Sequence, residues 1–463
     1  MKQFSKLLVA NIFVAIILLS SCQKETKDVT ISKEEATASV NSKQPLDPGF
    51  ADNDMVMYWN EKTSIVAASW NPQPARARFY AITQIAVHDA LNAIKPKYQR
   101  FALLNAREQF ANPDAAVASA AYWVLKGLNL GSTFPLDSWY NESLSTIADG
   151  ESKEWGKTLG KQAADAVIAN RADDGILQVI TNATSPAEGD DPGEYRITLF
   201  WSNPILNLSN IKQIPNWGTV VKPFVVQSNY QFRPAGPNPV NSEAYTADYN
   251  EVKTKGARVG HTRTTEESAI AFFWEDSRPS LIWNSLARNI INSKKLDAWK
   301  TARLFALVHT ALADGMNSAM EAKYHYYFWR PETAVRQGDI DGNPNTAGDA
   351  GWLPSLTEIP NTNSLFTIYT PPVPEYPSSF AMNGGAAAEV LKLFFETDEY
   401  EFDLTSTKLP GVTRHYNSFS SAAKENSLSK IYGGFYFRKS IMDGEEMGRQ
   451  IGNYVFTHAF REE

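Results

Sequence analysis

The sequence predicts a mainly α-helical protein, and three observations carry that prediction. Apolar and small residues recur at helical spacing, as in Ala81, Ile85, His88 and Asn92 with Phe79, Ile82, Ala86 and Ala93 beside them. Helix-start chemistry is plain at Asn112-Pro113-Asp114, where a capping side chain, a first-turn proline and an acid near the positive end of the helix dipole follow one another. No succession of alternating strands joined by hairpin turns competes with this pattern. The 463 residues are 43% hydrophobic and 12% aromatic, which excludes a wholly disordered chain and permits a large core in one domain or two. The formal charge of −7 argues against a general nucleic-acid binder. A single cysteine leaves no internal disulfide and no cysteine-based zinc site.

That cysteine closes a leader. Lys2 and Lys6 precede the apolar run Leu7–Leu19, and Leu19-Ser20-Ser21-Cys22 follows. A basic start, a short apolar run and small residues before a cleavage point make a secretory signal. This version resembles a bacterial lipoprotein signal over 1–21, with Cys22 lipidated and first in the mature chain. The expectation is an exported lipoprotein on the periplasmic or outer surface of a membrane, since several buried acyl carbons anchor a chain stably. Residues 22–51 are polar and poor in aromatics, and read as a flexible tether.

Globular composition begins near Asp52. Helices are expected over Ala75–Ile94, Ala115–Leu128 and the segment of Trp155, Leu159, Ala163, Ala166 and Val167. Further helices are expected over Thr264–Trp274, Ser280–Ile291, Leu296–Met320, Met382–Phe395, Ser418–Asn426 and Met442–Phe456. Two stretches, Ala187–Ala247 and Gln337–Pro377, are rich in Pro, Asn or Gly and read as long irregular loops. Asp339-Ile340-Asp341-Gly342-Asn343 hints at calcium, although its glycine falls early and the closing Glu is absent. His88-Asp89-Ala90-Leu91-Asn92 and His309-Thr310-Ala311-Leu312-Ala313-Asp314 form a faint internal echo.

Three segments suggest anion chemistry. Lys323 and Arg330 are seven residues apart, which on a helix returns to within about 20° of the same azimuth, so two cations could converge on one anion. Tyr324, Tyr326, Tyr327, Phe328 and Trp329 between them suggest a buried segment, and Pro331 tends to end the helix. Pro377-Ser378-Ser379-Phe380 places hydroxyls and backbone N–H groups of Ser378 and Ser379 at a helix start, as an oxyanion cradle or a plain N-cap. Lys430, followed by Gly433 and Gly434, is a third cation next to a sharp turn.

The order of these motifs resembles the vanadium-dependent haloperoxidase and type 2 phosphatidic acid phosphatase superfamily, and most of all its chloroperoxidase-like branch. The motifs are Lys323 to Arg330-Pro331, Pro374-Glu375-Tyr376-Pro377-Ser378 and Ser429 to Tyr436. Trp217-Gly218 to Phe224, Phe232-Arg233-Pro234, Tyr245 to Gly256, Arg263 to Trp274 and His88 to Asn92 extend the likeness across roughly 52–460. The resemblance implies an all-α fold of two helical bundles with long irregular loops, and a phosphate or vanadate pocket in the half from about 295 to 460. It implies Lys323, Arg330, Ser378, Ser379 and Lys430 as anion holders, vanadate as cofactor, and a phosphate-like anion or phosphorylated ligand as partner. Two histidines that the pattern places in the second and third motifs are Phe380 and Tyr436 here, the third-motif Arg is Lys430, and its Asp is Ser440. Phe moves no proton, and loss of positioned proton transfer costs roughly 10²–10⁴-fold. The leading expectation is therefore an oxyanion-binding lipoprotein with impaired catalysis. Tyr436 is the candidate nucleophile or vanadate ligand in an active phosphatase or peroxidase, with His415 as a base that folds back. A non-catalytic binding scaffold is the remaining alternative.

Overall fold

Small and apolar side chains make α2 (Gln73–Ile94) helical and also bury it on every side, with each residue from Pro74 to Ile94 shielded from solvent. α10 (Ala298–Tyr326) is buried almost as completely. Helices hydrophobic all round belong in the middle of a bundle, and these two pack against each other there. The computed structural model describes residues 52–69, 73–128, 133–182, 186–198, 213–275, 278–357 and 370–463. The leader, Cys22 and the tether lie outside the described residues.

α1 (Asp54–Ala68), α3 (Pro113–Gly127) and α5 (Glu151–Asn170) gather around α2, with α4 (Leu136–Ser145) on α3. Around α10 lie α12 (Ser379–Phe395) and α14 (Arg438–His458), with α13 (Phe419–Tyr432) against both of the latter. α9 (Pro279–Lys294) touches α1, α10 and α12. The result is the expected pair of helical bundles. Asn112 caps α3 as its sequence predicts, its side chain accepting from Ala115 N at 2.9 Å.

Several elements depart from the sequence reading. α7 (Glu243–Lys255) begins inside the stretch expected to be irregular, because the Ser242 hydroxyl caps it by accepting from Tyr245 N at 3.1 Å. α6 (Ile176–Asn182) is a short helix that the sequence reading did not name, whereas α8 (Thr265–Phe273) lies where a helix was expected and opens with a capping box between Thr264 and Glu267. One antiparallel hairpin interrupts the helices, β1 (Glu399–Thr405) and β2 (Thr413–Ser418), with Phe402 opposite Tyr416. Only Phe402 and Leu404 of β1 are buried, too short an alternation to stand out in the sequence. The calcium hint dissolves: Asp341 accepts from Asn343 N at 2.8 Å and from the Thr346 hydroxyl at 2.7 Å, while Asp339 accepts from Gly348 N at 2.7 Å. Those carboxylates are spent on their own loop.

The internal echo resolves onto the aspartates rather than the histidines. On α2, Asp89 accepts from the N–H groups of Phe101, Ala102 and Leu103 at 2.7–3.0 Å. On α10, Asp314 accepts from Phe224, Val225 and Val226 at 2.5–3.0 Å. Each central helix thus pins a returning loop by a buried carboxylate, and the two loops meet where Phe101 and Phe224 lie 6.1 Å apart.

His309 has a separate task. Its ring stacks on Tyr80 at 4.2 Å, Nε2 donates to Asn284 Oδ1 at 2.8 Å, and Nδ1 is buried without a partner. The ring is therefore neutral, and burial pushes its pKa down to about 3. An unfolded His protonates near 6.5, so the unfolded state takes up the proton first and stability falls as pH drops from about 6.5 toward 3, at roughly 1.4 kcal/mol per unit. The expected result is that His309→Phe removes about 2 kcal/mol of the acid destabilisation between pH 6.5 and 5, read by urea unfolding at both pH values. An unchanged slope would locate the acid sensitivity elsewhere.

Candidate functional site

The site begins where α10 stops. Tyr327 takes a left-handed conformation, φ 49°, and returns its N–H to Lys323 O at 2.9 Å. The chain then runs extended: Tyr195 N donates to Tyr327 O at 2.8 Å, and Trp329 N to Gly193 O at 3.0 Å. Arg330 is the extended N-cap residue of α11 (Pro331–Arg336), and Pro331 opens that helix. Lys323 and Arg330 therefore do not share a helix face, contrary to the periodicity argument. They still meet, because both reach one strap. Lys323 Nζ donates to Pro374 O at 2.9 Å and Glu375 O at 2.7 Å, while Arg330 donates to Val373 O at 2.9 Å and Pro374 O at 3.5 Å.

The strap leads into α12. Ser378 is its N-cap, accepting from Ala381 N at 3.3 Å, so this hydroxyl takes the capping role. Ser378 N donates to Ser440 O at 3.0 Å, which ties the start of α12 to α14. Ser379 is buried in the first turn, and its carbonyl accepts from Asn383 Nδ2 at 2.6 Å.

The third segment turns on Gly434. Its φ of 80° suits glycine, and a Cβ there would lie 2.5 Å from Gly256 O. The turn folds Phe435 and Tyr436 back onto α13, with Phe435 N donating to Lys430 O at 3.0 Å. Arg330 Nη1 reaches Phe435 O at 3.2 Å, and Lys430 Nζ reaches Trp274 O at 2.5 Å.

Four of the predicted residues, Lys323, Arg330, Lys430 and Tyr436, thus come together with Phe380, while Ser378 and Ser379 serve the start of α12. Arg330 lies 4.6 Å and Lys323 5.1 Å from the Tyr436 ring centre, and Lys430 lies 4.4 Å from that of Phe380. The two rings stand edge to face at 6.3 Å. Both belong to a small apolar cluster with Ala271, Leu356, Ile431 and Ile441. Lys323, Arg330, Lys430 and Tyr436 are each at most 1% exposed. Burial and the neighbouring Arg330 hold the Lys323 ammonium well below the usual lysine range, with Glu375 opposing them.

Glu375 is the residue that sequence reasoning passed over. Its Oε1 accepts from Phe437 N at 2.8 Å, directly after Tyr436, and the Ser440 hydroxyl of α14 favours its ionised form. Burial pushes this carboxyl up to about 7, opposed by Lys323, the Phe437 N–H and Arg330. The available signal was a lone acid inside a Pro-rich apolar segment directly before a helix, where no solvated face explains a charge.

All six histidines of the chain are among the described residues, and each lies elsewhere. His415, the expected substitute base, sits on the hairpin at 2.9 Å from Asp403, with both side chains more than 60% exposed. His325 is exposed beside Arg233, His458 stacks on Tyr454, His261 is in an exposed loop, and His88 is buried beside Asp89. No group of three or more His, Cys, Asp or Glu suited to a metal ion occurs among the described residues.

Comparison with known proteins agrees with this architecture. Residues 303–462 match the family described as the VCPO second helical-bundle domain. The vanadium chloroperoxidase of Curvularia inaequalis is 23% identical over 85% of this chain and 80% of its own. The structure of the first bacterial vanadium-dependent iodoperoxidase superposes with a TM-score of 0.70 at 26% identity, covering 91% of this chain and 99% of that one. A holo-type bacterial vanadium-dependent chloroperoxidase gives 0.66 at 17% identity, over 89% and 98%. With its paired bundles, its three motifs in order and these relatives, the chain resembles the vanadium-dependent haloperoxidases in fold across most of its length, and its second bundle matches that of their chloroperoxidase branch.

Proposed function

We propose that this chain is a catalytically silent member of the superfamily, exported and tethered to a membrane through a lipidated Cys22, whose oxyanion cradle has become a structural cluster and whose working part is the outer surface of the bundles. One observation carries the reading. Lys323, Arg330 and Lys430 each donate to main-chain carbonyls, and the faces of Tyr436 and Phe380 lie against the same cations.

A cation that donates to carbonyls and carries a ring on its face is satisfied without an external anion. The residues here do not fit vanadate as its relatives are named for it. No imidazole stands at the cluster, and Phe380 offers no proton in place of one. Five N–H to carbonyl contacts join α10 and Arg330 to the strap at 373–375 and the turn at 435. The cluster thereby holds the second bundle's loops together, and this structural task accounts for keeping buried cations where no chemistry remains.

The test is calorimetric titration of orthovanadate into the full chain in detergent, with an iodide-oxidation assay on the same sample. The expected outcome is no saturable heat and no vanadate-dependent oxidation at millimolar vanadate. Saturable binding that Arg330→Lys abolishes would sink the proposal and restore the oxyanion-binding reading. Turnover lost in Tyr436→Phe would instead establish an active enzyme built on the phenol.

A further inference from the structure

We infer that the corner of the fold where α9 turns into α10 is a membrane-facing surface that takes the headgroups of anionic lipids. This rests on the reading of the chain as tethered through Cys22, and names the part of the outer surface that meets the bilayer and the lipid chemistry it selects.

The turn gathers lysines. Lys295 ends α9 in a left-handed conformation, φ 49°, and Asp297 caps α10 by accepting from Lys300 N at 2.8 Å. Lys294, Lys295 and Lys300 are all exposed there, and with the start of α1 they line a cleft of about 650 Å³ that also holds Leu296. Lys95, just past the end of α2, is drawn to the same corner by Trp299, whose indole N–H donates to the Lys95 carbonyl at 3.0 Å. Lys97 is taken by Asp297 at 3.3 Å. Lys95, Lys295 and Lys300 have no carboxylate partner among the described residues. Helix electrostatics favour a cation at the C-terminal ends of α2 and α9, but not Lys300, which stands in the first turn of α10 where positive charge is disfavoured. An anion from outside the chain supplies the partner that Lys300 lacks. With Asp297 paired, the remaining acids of the cleft are Asp52 and Asp54, so Lys95, Lys294, Lys295 and Lys300 leave an excess of positive charge on a chain whose net charge is −7. Glu462 and Glu463 bound this surface beyond Lys97 and Tyr98. The second observation is the place of the corner in the chain. Asp52, the first described residue, lines the same cleft, and Cys22 lies about 30 residues before it, at most about 100 Å of chain. A bilayer that holds Cys22 is therefore reached from this corner by the shortest run of chain. Lysines close to an anionic surface are attracted to it, and a basic surface beside a lipid anchor strengthens the hold and selects which face turns to the membrane.

The test places the full chain on vesicles of phosphatidylcholine and on vesicles of equal parts phosphatidylcholine and phosphatidylglycerol. Amine acetylation read by mass spectrometry reports each lysine, with the exposed Lys424 on α13, outside this corner, as the reference. Labelling of Lys295 and Lys300 is expected to fall about tenfold on the phosphatidylglycerol vesicles relative to phosphatidylcholine alone. It is expected to recover in molar salt, where screening acts within about 3 Å. Lys424 is expected to label alike on both vesicles, and Lys295→Glu/Lys300→Glu to restore labelling of Lys294. Equal labelling of the corner on the two kinds of vesicle overturns the inference. Equal protection of Lys424 overturns it too, because the chain would then adsorb without a preferred face. Failure of the tether reading is a separate result: a chain that does not float with phosphatidylcholine vesicles carries no anchor. If such a chain floats with phosphatidylglycerol vesicles and its corner is protected, the basic surface stands without the anchor. If it floats with neither, both readings fall.

Discussion

Arg330→Ala is expected to cost about 3–5 kcal/mol of folding stability. The guanidinium is fully buried, and its loss leaves Val373 O and Phe435 O without their donor, a void against the Tyr436 ring, and Glu375 facing one cation fewer. Each buried acceptor left unpaired costs about 1–3 kcal/mol. Chemical denaturation would read the change as a lower midpoint with an unchanged slope. Arg449→Ala is the control, since its pair with Glu446 is about half exposed and such pairs contribute about 0–1 kcal/mol. A small effect at Arg330 comparable to that control would show that the cluster does not hold the loops, and would reopen a catalytic reason for the arginine.

The second large effect is expected where α12 crosses α14. A Cβ on Gly448 would sit 2.0 Å from Met382 O, and one on Gly385 2.1 Å from Glu445 O. Gly444 and Gly452 make similar approaches to Ser378 O and Ala386 O. The two backbones are in contact, and a carbonyl oxygen of a packed helix cannot swing aside as a side chain can. Gly448→Ala is therefore expected to destabilise by about 3 kcal/mol despite the better helix propensity of alanine. Because Ser378 N bonds Ser440 O at that crossing, the variant should also loosen the aromatic cluster, with a reduced near-ultraviolet dichroism signal as the check. Gly351→Ala is the control, its nearest non-neighbour atom being 3.5 Å away, and should change stability by less than about 0.5 kcal/mol.

The sequence was most legible where one rule acted alone. Asn112-Pro113-Asp114 starts a helix at the predicted place because capping is a contact between near neighbours. α2 and α10 were visible because their small and apolar residues persist over 22 and 29 residues. The short hairpin was hidden because two inward residues make no pattern, and α7 because its cap lies among prolines. Lys323 and Arg330 show how a correct grouping can rest on a wrong route. The helix between them ends at Tyr326, and it is the strap from Val373 to Glu375 that unites them.

The sequence alone determined that this chain is helical, and its motifs resemble those of the vanadium-dependent haloperoxidases, with Phe380 and Tyr436 at positions where that resemblance implies histidine. Those are properties of residue identity and order, and no coordinates are needed to read them. Only the tertiary structure decided what the altered residues do. A buried cation is defined by whatever surrounds it, and those neighbours come from segments up to about 156 residues away in the chain, as with Lys430 and Trp274. Whether Glu375 is a solvated acid or a buried one depends on the same folding-together, because desolvation acts through space and leaves no trace in local sequence.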